Sequence, residues 1–195
     1  MSGNNDLILA GVAGGGTGNA LVWVAPMGTA VPVDATTAWP AGWLDAGWCT
    51  ADGLTEKIEA ESKEVEGFGA SGPLRILKSK QKETFDVGFL ETKPLTQEIF
   101  YGLELGSIVV SPTGAFNWTT GTPTDTRYMI GFDTVDGKNK RRVIAPLANS
   151  TPNGDVATKA GEEIAYGVTF TAFVGPDGVA VHRFVLMDAL KTVTP

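Results

Sequence analysis

Glutamates cluster in one stretch of the chain, and carboxylates are side chains that can serve acid–base catalysis or calcium binding. They are Glu56, Glu59, Glu61, Glu64 and Glu66. No Asp-x-Asp-x-Asp-Gly loop is present, which excludes an EF-hand, and spacing alone does not identify a glycosidase pair. Charged residues alternate with apolar or small ones from Leu54 to Ser62. This pattern predicts a β-strand with a solvated acidic face. The functional interpretation is a negative surface directed at something that must be repelled.

Other residues typical of catalytic or ligand sites lack the context that such sites need. The run Gly14-Gly15-Gly16-Thr17-Gly18 has no P-loop lysine, because no lysine occurs before Lys57. A flexible N-terminal arm over residues 1–20 is the favoured interpretation. His182 and Cys49 are the only histidine and the only cysteine. They give little support to a zinc site or to Cys–His catalysis, and we expect His182 to be a packed or hydrogen-bonded strand residue. No cofactor, no metal and no enzymatic activity are expected.

Two basic stretches are the candidates for binding negative partners. One is the tip of a predicted hairpin, with Lys138, Lys140, Arg141 and Arg142, and the other contains Arg75, Lys78, Lys80 and Lys82. No aromatic residue interleaves with either stretch, which argues against a single-strand nucleic-acid platform. A solvated hairpin tip and a contact with acidic strands of a neighbouring copy both remain open.

Composition limits the class of protein. The chain has 195 residues, which fits one domain, and 43% of them are hydrophobic, enough for a core. The 25 glycines and 11 prolines indicate many turns, and the net charge of −7 is unsuited to wrapping a phosphate backbone. We expect no signal peptide and no membrane-spanning segment. A single cysteine excludes an intramolecular disulfide and fits assembly in a reducing cytoplasm.

The periodicity predicts a mainly β chain with one helix. Strands are predicted at residues 21–26, Leu54–Ser62, Leu74–Leu77 and Lys82–Leu90, and in the last of these Phe85, Val87 and Phe89 share one face opposite Thr84, Asp86 and Gly88. Pro94 and Gly102 bracket a helix over Pro94–Tyr101. Two hairpins are predicted to follow. The first turns through Asp136-Gly137-Lys138-Asn139, between Arg127–Val135 and Lys140–Leu147. The second turns through Gly175-Pro176-Asp177-Gly178, between Glu162–Val174 and Val179–Met187.

The segment from Gly47 to Gly102 carries a resemblance to a known family. It opens on Gly-Trp-Cys-Thr-Ala-Asp-Gly-Leu-Thr-Glu-Lys-Ile-Glu, continues through Lys-Glu-Thr-Phe-Asp-Val-Gly-Phe-Leu, and ends at Gln-Glu-Ile-Phe-Tyr-Gly. An acidic strand after an Asp-Gly turn, a connector, a second strand and a helix ending in Tyr-Gly follow each other in this order. The segment resembles the core of the major tail protein, the tail-tube subunit, of long non-contractile-tailed bacteriophages.

The resemblance implies a fold and an assembly. The subunit would be an antiparallel β-sandwich or barrel-like domain over residues 21–195, with one short packed α-helix. Inner sheets would close into a ring barrel on oligomerisation. Hexameric rings would stack into a tube through which DNA passes without specific binding. Its partners would be further copies of itself and other tail proteins (tape measure, tail terminator and distal tail), in a virion tail assembled in the bacterial cytoplasm.

The tube interpretation also suggests which residues face DNA. A negative or neutral lumen would repel phosphate, so Glu59, Glu61 and Asp86 are the candidate lumen residues. They alternate with apolar or small residues on strands expected to enter the inner sheet. The basic residues Lys138, Lys140, Arg141 and Arg142 are the candidate contacts between subunits.

Two other classes of protein stay open at this point. One is a different virion structural protein, such as a head decoration or a contractile-tail tube subunit. The other is a carbohydrate-binding β-sandwich, for which Trp39, Trp43, Trp48 and Trp118 would supply the aromatic platform. Packing of loops is the favoured interpretation of these tryptophans.

Overall fold

The computed structural model describes residues 5–9, 21–69, 71–122 and 124–191, with only the backbone at 78–80. The described strands are β1 (Val22–Ala25), β2 (Leu44–Asp45), β3 (Cys49–Val65), β4 (Arg75–Phe89), β5 (Tyr128–Asp136), β6 (Asn139–Pro152), β7 (Tyr166–Ala172) and β8 (His182–Leu186). One α-helix, α1 (Pro94–Tyr101), and two single 3-10 turns, Asn5–Leu7 and Asp188–Leu190, complete the described elements. The mainly β prediction is confirmed. Most of the proposed N-terminal arm, including residues 14–18, lies outside the described residues.

The strands form one open antiparallel sheet that folds over itself. The order is β2-β1-β5-β6-β7-β4-β3, and β8 also pairs with β6. Phe85 of β4 packs against Phe132 of β5 with ring centroids 4.9 Å apart, although β6 and β7 separate these strands within the sheet. The two halves of the sheet therefore face each other as in a β-sandwich.

The core lies between the two halves and follows the alternation of the strands. On β4, Phe85, Val87 and Phe89 point inward as predicted, and Val168 and Phe170 of β7 join them. Each aromatic side chain removed from water here contributes a large apolar area, so this cluster is the main source of stability.

Helix α1 has the predicted bounds. Pro94 stands in the first turn, and Gly102 ends the helix in the left-handed conformation with a φ of 65°. The Gly102 N–H donates to the Ile99 carbonyl oxygen at 3.3 Å, and the Leu103 N–H donates to the Glu98 carbonyl oxygen at 2.8 Å. The Ser150 hydroxyl of β6 donates to the same Ile99 oxygen at 2.6 Å and ties the helix to the sheet.

Ile99→Ala is expected to lower the free energy of unfolding by about 2–5 kcal/mol, because Ile99 is fully buried and alanine leaves a cavity. Urea denaturation of the dilute chain measures the change. A loss well below 1 kcal/mol accompanied by failed assembly would instead place the helix between subunits.

The first C-terminal hairpin is confirmed. Strands β5 and β6 pair across the predicted turn, with Asp136 opposite Asn139 and Val135 opposite Lys140. The turn fixes the register for the rest of the hairpin, so Asp133 comes to lie directly opposite Arg142.

The second predicted hairpin is wrong. Strand β7 pairs with β4 and β6, whereas β8 pairs with β6 alone. The two lie end to end along one edge of β6, with Ala172 opposite Ala148 and His182 opposite Ile144. The Gly175–Gly178 turn does form, since the Gly178 N–H donates to the Gly175 carbonyl oxygen at 3.0 Å. The turn closes the short loop that joins β7 to β8. Both strands pair along the same edge of β6, which is long enough for the two because it has 14 residues.

Candidate functional site

One face of the sheet half formed by β3, β4, β7 and β6 is polar and made of short side chains. The opposite face of the same strands enters the core, so strict alternation places the polar residues together. The residues of this polar face are Thr55, Lys57, Thr84, Asp86, Gly88, Asn149, Thr151, Gly167, Thr169 and Thr171. Within this set the only charges are Lys57 and Asp86, and they form an ion pair.

The three candidate lumen carboxylates lie on this same side of the sheet. Asp86 stands opposite Thr55, and Glu59 and Glu61 continue the Thr55–Lys57 row of β3 beyond the sandwich. The Lys57 ammonium and the Thr169 hydroxyl both donate to Asp86. Burial raises the pKa of Asp86, but these hydrogen bonds outweigh it and hold the pKa below its usual value. The carboxyl group is therefore ionised at neutral pH.

Strands β3 and β4 extend far beyond the sandwich as a two-stranded ribbon, here called the protruding hairpin (residues 57–82). Pairing of β4 with β7 ends at Glu83, and further out β3 is the one described strand that pairs with β4. The side chains of 57–65 are exposed on both faces. Among them is an apolar residue, Ile58, which is 56% exposed. Two more apolar side chains are exposed further along the hairpin: Ile76 (58%) and Phe68, which is fully exposed. A ribbon of two strands is marginally stable alone in water, so this element needs a partner surface.

The basic hairpin is less exposed than the sequence suggests. Lys138 lies at its tip with 81% of its side chain exposed, 3.5 Å from Asp188. Lys140 lines a cavity beside Trp23 and Trp39. Arg141 pairs with Glu56. Arg142 departs from the expected solvated tip, since only 4% of it is exposed.

Arg142 is held by an acid, two carbonyls and a ring. Its guanidinium donates to both carboxylate oxygens of Asp133 at 2.7 Å, and to the carbonyl oxygens of Asp34 and Thr37 at 3.0 and 2.7 Å. The Trp39 ring lies 4.2 Å from its Cζ. This residue fastens the loop between β1 and β2 to the outer face of β5 and β6.

The tryptophan-rich segment forms a second, smaller core under that loop. Trp39 stacks on Trp23 at 5.2 Å and contacts Trp43 at 4.6 Å between ring centroids. A Cβ on Gly131 would collide with the Trp39 ring, so a glycine is needed at this point of β5. Trp39 and Trp43 are thus packing residues, as favoured from the sequence. Trp118 contacts Phe116 and Tyr101, and Trp48 is exposed.

Comparison with known families narrows the remaining classes to tail tube proteins. The family model described as "Phage tail tube protein" matches residues 1–195, the whole chain. The chain belongs to the phage tail tube protein family. No curated protein matches it.

Family membership makes this a structural component of the phage tail, and it implies self-assembly and contacts with other tail proteins. In the described part of this tail tube protein, no helix is long and apolar enough to cross a membrane. No group of three or more metal-binding side chains occurs among those described residues either.

The residues that first suggested chemistry are structural in the tail tube subunit. His182 Nε2 lies 2.7 Å from Asp177 Oδ2, which confirms a hydrogen-bonded strand histidine. Burial, with Asp45 and Glu91 adding to it, raises the pKa of the Cys49 thiol to about 12. The thiol stays protonated at neutral pH and is a poor nucleophile.

Proposed function

We propose that this tail tube protein polymerises as stacked hexameric rings into the tube of a long non-contractile tail, and that DNA passes through the channel of that tube. The subunits assemble in the host cytoplasm. In the finished virion the tube meets tape measure, terminator and distal tail proteins. The domain over residues 21–195 forms the wall, and the N-terminal arm over residues 1–20 adds contacts between subunits.

The protruding hairpin is the observation that carries this proposal. It presents apolar side chains on a ribbon that the described part of its own chain leaves uncovered, and among those residues its β3 edge pairs with β4 alone. Uncovered edges of this length associate with other strands unless they are protected. Closing the sheets of several copies into a ring barrel removes these edges.

The polar face suits the inner wall of the tube. Its threonines and glycines are short, and its one lysine is neutralised by Asp86. Further out, Glu59 and Glu61 of β3 stand opposite Lys82 and Lys80 of β4 in the register. Acidic and basic positions therefore balance along this face, and the wall carries no net positive charge for DNA phosphates. Glu59, Glu61 and Asp86 thus remain the proposed lumen carboxylates.

Lys138 and Lys140 are the basic residues that best suit contacts with acidic strands of the next copy. Arg141 and Arg142 were proposed for the same role, but their guanidinium groups already bind Glu56 and Asp133 within the subunit. They support the contact by holding β6, which carries Lys140 and directly follows the turn residue Lys138.

Electron microscopy of the purified protein at high concentration tests the assembly directly. Six-fold rings or tubes are expected. A strictly monomeric species under these conditions would refute the proposal.

The lumen assignment is tested by reversing charge on the hairpin. Tubes of the double variant Glu59→Lys/Glu61→Lys are expected to retain DNA at least about tenfold more strongly at low salt, with retention falling as salt rises. Asp86 is kept, because it pairs with Lys57.

The matched control is Glu104→Lys/Glu163→Lys, which makes the same change in net charge at exposed residues off the polar face. Equal retention by the control would contradict the assignment. So would a tube structure with Glu59 and Glu61 on its outer wall.

A further inference from the structure

The sheet forks at the point where the protruding hairpin leaves the sandwich. Strand β7 holds β4 as far as Glu83, opposite Ala172, and the loop of residues 173–181 then interrupts the edge strand. Where that strand resumes as β8, it pairs with β6 and no longer with β4. The β3–β4 ribbon and the β6–β8 pair therefore diverge from this point.

Four charged side chains span the fork. Glu56 of β3 accepts hydrogen bonds from Arg141 of β6 and Arg183 of β8, the latter through Nε at 3.1 Å. Arg183 also donates to Glu83 of β4 at 2.6 Å. Gln81 donates to the second oxygen of Glu83 at 2.7 Å. Glu56 thus ties β3 to both β6 and β8, and Glu83 ties β4 to β8.

The cluster lies at the boundary between packed and unpacked chain. Phe85 is fully buried and Glu83 is 6% exposed, whereas Ile58, which stands opposite Glu83 across the ribbon, is 56% exposed. Apolar packing thus fixes the hairpin on the sandwich side of the cluster and ends beyond it. The angle at which the hairpin projects is left to the charges in the fork.

We propose that Glu56, Glu83, Arg141 and Arg183 form a latch that holds the protruding hairpin at one angle before assembly. Opening the latch lets the hairpin swing about the ends of its packed strands while the sandwich stays folded. The latch contains two acids and two arginines. Removing the Glu56 charge leaves two arginines facing a single carboxylate, so repulsion as well as lost attraction opens the fork.

The ionisation of Glu56 supports this role. Burial raises the pKa of Glu56, but the hydrogen bonds and charges of Arg183 and Arg141 outweigh it, and the pKa lies below its usual value. Glu56 is therefore ionised at neutral pH.

The consequence for assembly rests on the proposed function, but the angle itself can be measured within one chain. Spin labels are placed on Lys63→Cys in the hairpin and Lys138→Cys in the sandwich, in a Cys49→Ser background, and labelled chains are diluted with unlabelled ones. The label–label distance distribution of the otherwise unchanged chain is expected to be narrow. Glu56→Gln is expected to broaden this distribution about twofold, because two arginines then face a single carboxylate in a partly buried cluster.

Glu59→Gln is the matched control, because it makes the same chemical change on the same strand outside the fork. Arg183→Gln is a second variant and should broaden the distribution by a similar amount, because it also breaks two of the three ion pairs and leaves two carboxylates facing a single arginine. Tryptophan fluorescence checks that each variant is folded. An unchanged distribution in folded Glu56→Gln, or equal broadening in the control, would overturn the latch. Failure of the unchanged chain to form rings would count against the proposed function alone, because the distance is measured within one subunit.

Discussion

Arg142→Ala is expected to lower the free energy of unfolding by about 3–5 kcal/mol, the cost of removing one partner from a buried ion pair. Arg142 and Asp133 have side chains only 4% and 6% exposed. Without the guanidinium, the Asp133 carboxylate still accepts a hydrogen bond from the Trp39 indole N–H at 2.8 Å, but its positive partner is gone. The carbonyl oxygens of Asp34 and Thr37 lose their donor in the same step.

Urea denaturation followed by tryptophan fluorescence measures this loss, because Trp39 lies on the guanidinium. Lys138→Ala is the matched control at the exposed tip of the same hairpin, and a change within about 0.5 kcal/mol is expected there. Replacing the pair together, as Arg142→Met with Asp133→Leu, should recover much of the stability, since no buried charge is then left alone. A loss below about 1 kcal/mol for Arg142→Ala would contradict a buried pair and indicate that the two charges are solvated.

Local signals in the sequence determined much of the fold. The alternation of Phe85, Val87 and Phe89 fixed which side of β4 enters the core. Pro94 and Gly102 fixed both ends of α1. The polar face follows from the same alternation, because the residues between inward-facing ones must point the other way.

The errors concern contacts between distant parts of the chain. A Gly-Pro-Asp-Gly turn predicts a reversal, but whether the flanking strands pair with each other depends on which other strands compete for them. Here the long β6 takes both β7 and β8. The neighbours of Arg142 in the sequence placed it in a basic hairpin tip, either solvated or in contact with a neighbouring copy, and neither prediction anticipated a buried ion pair within the subunit. The register set by the Asp136–Asn139 turn already places Asp133 opposite it, and that signal could have been used.

Removing the protruding hairpin is expected to abolish assembly and leave the sandwich folded. In the proposed variant, residues 59–82 are replaced by Asn-Gly, which favours the tight turn of a two-residue hairpin. Ile58 and Glu83 then form the last cross-strand pair, so Glu56, Glu83 and Asp86 are retained. None of the deleted residues whose side chains the structure describes belongs to the main core cluster.

Two measurements separate folding from assembly in this variant. The urea midpoint of the dilute protein should change little, because the buried side chains of β4 from Glu83 to Phe89 are kept. Sedimentation and electron microscopy should show a monomer at concentrations where the full chain forms rings or tubes. Substituting the tip alone, as Phe68→Ser, should have a smaller effect, since the β3 edge remains available.

The result discriminates between two accounts of the hairpin. If the hairpin is an assembly element, its apolar residues and open edge belong to the interface between subunits. The trimmed chain then folds but no longer associates. If the trimmed protein still forms tubes, the subunit contacts lie on the sandwich itself, and Lys138 and Lys140 become the first residues to test. If the trimmed protein unfolds, the ribbon beyond Ile58 and Glu83 stabilises the sandwich more strongly than its exposure implies, because the variant keeps the Glu56–Arg183 ion pair. The hairpin would then be a structural part of the domain.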